Sequence, residues 1–131
     1  MGITVVDILG TISDARALAV YKTIASEKAN SNLLITKMQL TRKQYYSRIS
    51  RLIKTGLVKR ENGRYTLTSF GKVIYDIQIT IEVALENFWK LKAIDSLQAT
   101  DSTLSKEEQT RVLDVLIQND KIKEVIFAKM I

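Results

Sequence analysis

Between Leu40 and Gly56 the chain reads LTRKQYYSRISRLIKTG, with Arg42, Lys43, Arg48, Arg51 and Lys54 positive and no acidic residue. Guanidinium and ammonium groups donate to phosphate oxygens or to guanine edges, and a glutamine such as Gln44 can bond adenine through two atoms. Ser47 and Ser50 are small, so a helix backbone carrying them could approach a ligand closely. Downstream, Arg60 and Arg64 flank Asn62-Gly63. These types suit a polyanion with readable edges better than a reaction. With no His and no Cys, the chain lacks zinc's preferred ligands, the usual base near neutral pH and a thiol nucleophile. The five Gly are dispersed, so no phosphate-cradling glycine loop exists. No enzymatic activity, metal or cofactor is expected.

The net charge of +6 is concentrated in one block. Residues 41–72 carry nine basic side chains against Glu61 alone, whereas 1–40 are near neutral and 73–131 hold seven basic against ten acidic. That distribution implies a local polyanion site and not general stickiness. The 131 residues, 46% of them hydrophobic, predict one domain with an appended arm. The start, MGITVVDILGTISD, has no basic region and carries Asp7 and Asp14, so it does not read as a signal peptide. Asp76, Glu82, Glu86 and Lys90 interrupt the apolar run over 73–91, where a membrane span needs about 20 residues with few charges. A soluble, cytoplasmic protein is expected.

Caps and periodicity predict the elements that must hold these side chains. Residues 2–12 are a short apolar run of undecided type. Ser13 is expected to cap a helix over about 14–28, with Ala17, Val20, Tyr21 and Ile24 on one face. A turn at 29–32 leads to a short helix over 33–39 with Leu34, Ile35 and Met38 inward. Thr41 and Gln44 match a capping box, with Leu40 and Tyr45 at the hydrophobic-staple positions. Gly56 should end that helix, and Asn62-Gly63 predicts a hairpin with a type I′ turn. Thr68 or Ser69 can open a helix to about 95, roughly 40 Å long, and the absence of Pro permits it. After a polar stretch at 96–104, Ser105 and Glu108 open a helix to about 118. Asn119 and Asp120 break it before a last helix with Ile122, Val125 and Ile126 inward. The expected fold class is mostly α with a small β-hairpin wing. A winged helix-turn-helix occupies 1–72, and 73–131 supply the long helix and short terminal helices for packing or dimerisation.

With Ile49 at zero and about 100° per residue, Tyr45, Leu52 and Ile53 lie within about 60° and form the core face. The opposite face holds Lys43, Gln44, Ser47, Arg48, Ser50, Arg51 and Lys54, with no acidic partner. Tyr46 sits at its edge, and Arg42 can reach outward from the first turn. Expected contacts to double-stranded DNA are therefore Arg42, Lys43, Gln44, Tyr46, Ser47, Arg48, Ser50, Arg51 and Lys54. Arg60 and Arg64 would touch the backbone or minor groove. Most charged helix faces are simply solvated. The single sign, the place third in a helix-turn-helix and the cationic hairpin that follows distinguish this one.

SDARALAVYKTIA together with LTRKQYYSRISRLIKTGLVKRENGRYTLTSFGKVIY resembles the winged-helix DNA-binding domain of archaeal transcriptional regulators of the broad ArsR/MarR-like group, over about residues 10–76. The resemblance implies a recognition helix at about 41–55 and a wing at about 57–68. The lack of Cys and His departs from metal-sensing members.

Along the predicted long helix, Ile74, Ile77, Ile81, Ala84, Leu85, Phe88 and Leu91 form one apolar stripe. Ile79, Val83 and Ile94 point elsewhere, and with Trp89 they are the expected homodimer interface. A helix apolar on two faces is buried on both. The alternative is that the terminal helices fold back and cover the second stripe. The leading expectation is a homodimeric, nucleoid-associated DNA-binding regulator in which charge reversal at Arg48 and Arg51 abolishes binding. Competing readings are a non-specific architectural, chromatin-type protein and a winged-helix adaptor of the transcription or replication machinery.

Overall fold

The computed structural model describes residues 2–26, 35–99 and 105–129, with 98 and 99 by backbone alone. The turn expected at 29–32, the first two residues of the helix expected at 33–39 and the linker positions 100–104 lie outside the described residues. The described chain is mostly helical with one small antiparallel sheet. It comprises α1 (Val5–Ile12), α2 (Ala15–Ala25), α3 (Arg42–Lys54), β1 (Val58–Glu61), β2 (Arg64–Leu67), α4 (Ser69–Glu86), α5 (Phe88–Ala99), α6 (Lys106–Leu116) and α7 (Asp120–Lys129). A helical turn at 35–37 precedes α3. Two compact units result, Met1–Asp76 and Ile77–Ile131.

In the first unit, apolar side chains at helical spacing converge on one core. Ile8 of α1, Val20, Tyr21 and Ile24 of α2, and Tyr45, Ile49 and Leu52 of α3 join Leu40, Leu57 and Val58. Ile35 and Met38 pack half-buried against it. Burial pushes the Tyr21 phenol up to about 12. It therefore stays protonated and donates to the Gly71 carbonyl at the start of α4. Thr68 caps α4 by accepting the Gly71 N–H at 2.8 Å. The hairpin pairs Val58 with Leu67 and Glu61 with Arg64. Its two-residue turn has φ of 54° at Asn62 and 75° at Gly63, the left-handed pair a type I′ turn requires.

The second unit has its own core of Ile94, Leu113, Ile117 and Ile122, with Val83, Ala84, Leu91, Leu116, Ile126 and Phe127 against it. Ser105 caps α6 by accepting the Glu108 N–H at 3.2 Å. α6 ends at Leu116, and Asn119 opens α7, its Oδ1 accepting the Ile122 N–H at 3.0 Å.

The run left undecided by the sequence is helical over 5–12, opened by a Thr4–Asp7 capping box. Several expectations are corrected. Asp14, not Ser13, caps α2, which ends at Ala25. Ile53 is 41% exposed. Tyr45 and Leu52 lie about 40° and 60° to one side of Ile49 and Ile53 about 40° to the other, so the buried arc is centred away from it. The single long helix is two. The Asn87 side-chain amide donates to the Val83 carbonyl at 2.8 Å, competing with the backbone ladder where α4 ends. Val125 is 51% exposed, while Phe127 packs in its place.

Candidate nucleic-acid interface

The candidate interface is built on α3, and both of its ends are fixed by local chemistry. At the start, the Thr41 hydroxyl accepts the Gln44 N–H at 3.1 Å and Gln44 Oε1 accepts the Thr41 N–H at 3.0 Å. Leu40 and Tyr45 are buried beside this box, as a staple requires. At the end, Leu57 N–H donates to the Leu52 carbonyl and Gly56 N–H to that of Ile53, both at 3.0 Å. With Gly56 at φ 82° this is a Schellman motif. Burial of Tyr45, Ile49 and Leu52 then sets the roll of the helix.

That roll leaves Arg42, Lys43, Gln44, Tyr46, Ser47, Ser50, Arg51 and Lys54 exposed and Arg48 partly covered. Among the described residues, the side chains of Lys43, Ser47, Ser50 and Lys54 have no hydrogen bond or ion pair. Tyr46 stands at the edge of this arc, 48% exposed and edge-to-face with Tyr45 at 5.2 Å.

Two expected contacts are tied down within the chain. Gln44 Oε1 is spent on the capping box, so a two-atom bond to adenine would open the start of the helix. Arg48 Nε donates to Asp14 Oδ2 at 2.8 Å, and its Nη1 donates to the Gln44 carbonyl at 3.2 Å. The expected lack of any acidic partner is thus corrected at Arg48. The Arg48 hydrogen bond, ahead of a backbone N–H from Arg16, holds the Asp14 carboxyl below its usual range. Arg51 leans toward α1, where a Cβ on Gly10 would stand 3.3 Å from Arg51 Nη2. Asp7 of α1 is held low first by the Thr4 N–H and hydroxyl, and its interaction with Arg51 acts in the same direction. Sequence reading missed both carboxylates. Asp14 lies 34 residues before Arg48, and sequence reading puts the cap of α2 at Ser13 instead.

In the hairpin, Arg60 and Arg64 are exposed. The Arg60 guanidinium lies over the Tyr65 ring, 5.9 Å from its centroid, and Lys59 pairs with Glu61 at 3.2 Å. Arg64 opens β2 beside the turn.

The residues expected at a dimer interface do not act together. Ile94 is buried in the second unit's own core and Val83 packs against it. The chain's own terminal helices cover Ile94, and Val83 stays half-buried beside it. Ile79 is half-buried, and Trp89 is 76% exposed.

No group of three or more metal-capable side chains occurs among the described residues, and none of the described helices is long and apolar enough to cross a membrane. No protein-family model, curated protein or solved structure matches the chain.

Proposed function

We propose that the protein binds double-stranded DNA as a transcriptional regulator of winged-helix type, with α3 in the major groove and the β1–β2 hairpin against the backbone or minor groove. The observation that carries this reading is the outer arc of α3. Lys43, Ser47, Ser50 and Lys54 form a polar, single-sign surface on a helix capped at both ends, and none of these side chains has a described protein partner. Arg60 and Arg64 extend the positive charge into the hairpin that follows. A phosphate backbone supplies the missing anions, and serine and lysine can reach base edges from a closely approaching helix.

The same reading includes a homodimer working in the cytoplasm on the nucleoid. Ile77, Ile81 and Leu85 of α4, with Phe88 and Trp89 of α5, are large apolar residues exposed by about half or more. Large exposed apolar side chains on neighbouring turns are the kind of surface that marks a protein–protein contact, and a second copy would cover them. Pairing would double the duplex contacts and set a half-site spacing.

The test is selection of bound duplexes from a random pool, followed by anisotropy titration over a salt series. A regulator enriches a defined sequence and binds it far more tightly than random DNA. With about four to eight phosphate contacts per dimer, affinity falls steeply with salt. Equal affinity for all duplexes would favour an architectural role.

A further inference from the structure

The positive face of α3 divides into two arcs. Taking Ile49 as zero, Gln44, Arg48 and Arg51 lie about 100° to 160° round on the side of Tyr45 and Leu52. Lys43, Tyr46, Ser47, Ser50 and Lys54 lie about 60° to 160° round on the other side. The arginine arc borders α1 and α2, and Arg48 is engaged there. Arg48 is bonded to Asp14 and to the Gln44 carbonyl, and Arg51 reaches Gly10. Asp14 cannot easily turn away, because its other oxygen accepts the Arg16 N–H at 3.3 Å as the cap of α2.

We propose that Arg48 is a positioning residue, clamped to α2 by Asp14, and that the duplex meets the opposite arc, Lys43, Tyr46, Ser47, Ser50 and Lys54. Recognition of guanine or phosphate by a guanidinium uses two parallel N–H groups. In Arg48 the Nε–H is already on a carboxylate and one Nη1–H is on a backbone carbonyl, so the side-on pair is spent and only the end-on pair of Nη1 and Nη2 is open. The clamp is also neutral as a pair, and its carboxylate side chain is 44% exposed against 24% for the arginine. A phosphate approaching that edge therefore meets the anion as readily as the cation. The clamp joins the start of α2 to the middle of α3 and so fixes how α3 is presented. This assignment rests on the duplex-binding reading and narrows it to one side of the helix.

The discriminating experiment measures affinity for a random-sequence duplex by anisotropy over about 50 to 200 mM salt. The variants are Lys43→Gln, Lys54→Gln, Arg48→Gln and Asp14→Asn. Asparagine caps a helix about as well as aspartate, so Asp14→Asn keeps α2 while removing the clamp's charge. Loss of one phosphate contact from each subunit lowers the slope of log K against log salt by about 1.8 for the dimer, or about 0.9 for one subunit alone. The expected result is that lowering for each lysine variant and an unchanged slope for Arg48→Gln. Asp14→Asn should tighten binding several-fold and steepen the slope by the same amount, because Arg48 is released to a phosphate. A purely structural role for Asp14 would not increase the slope. Arg48→Gln lowering the slope as the lysine variants do, or Asp14→Asn leaving it unchanged, overturns the clamp alone. Failure of the unaltered protein to bind duplex at the lowest salt overturns the clamp and the duplex reading together.

Discussion

Asp14 has two partners, and its protonation should loosen both. The hydrogen bond from Arg48 is the largest influence holding its carboxyl below the ordinary 3.8. Asp7 is held low mainly by the Thr4 N–H. A carboxyl with a lower value folded than unfolded stabilises the fold above its unfolded value, and that stabilisation is lost as pH falls through the folded value. Thermal midpoints should therefore be flat from about pH 7 to 5 and fall below about pH 4. Asp14→Asn and Asp7→Asn should each make the acid fall shallower, which melts followed by circular dichroism would measure. At this scale the sequence was only half legible. Thr41, Gln44 and Gly56 announced their roles because capping is local in sequence. The Arg48–Asp14 pair did not, because it forms only once α2 and α3 share a core. Gln44 was assigned two roles from its side chain, and the capping box leaves it free for only part of the second.

At the scale of elements, α3 is set by its caps and the hairpin by its turn, both short-range signals, and both lie where the sequence puts them. The division of the expected long helix was not legible in the same way. Apolar spacing runs unbroken across Asn87, and the end of α4 is marked by local bonds there, the side-chain amide on the Val83 carbonyl and the Asn87 N–H shared between Val83 and Ala84. The exposure of Ile53 has a similar cause, since a helical wheel gives a face but not the centre of its burial. The start of α4 provides the sharpest stability test. A Cβ on Gly71 would stand 1.9 Å from the Leu57 carbonyl oxygen, a backbone atom in the segment that joins α3 to β1. Gly71→Ala should destabilise the first unit by about 3 kcal/mol, the upper end of overpacking costs. Thr41→Ala, which removes only the cap of α3, should cost about 1 kcal/mol. Urea denaturation of the two variants should show that order, and an equal or reversed cost would contradict the close approach of α4 to Leu57.

At the scale of the whole molecule, basic charge is concentrated in one stretch of the chain, while large apolar side chains are exposed in both units, Val5, Val6 and Leu9 among them in the first. The basic block over 41–72 falls in the first unit, while the second unit carries an exposed apolar face at Ile77, Ile81, Leu85 and Trp89. If that face joins two copies, Ile81→Glu with Leu85→Glu should leave helicity intact, halve the mass seen by light scattering and weaken duplex binding. A mass unchanged by the substitutions would remove this face from the interface. The central claim is that the outer arc of α3 grips duplex DNA. The most direct test is anisotropy of a labelled duplex at low salt with the unaltered protein and with Lys43→Glu/Lys54→Glu, after circular dichroism has established equal helicity. The expected result is tight, steeply salt-dependent binding by the former and its loss in the latter. Undiminished binding by the double variant, or none by the unaltered protein, would contradict the claim.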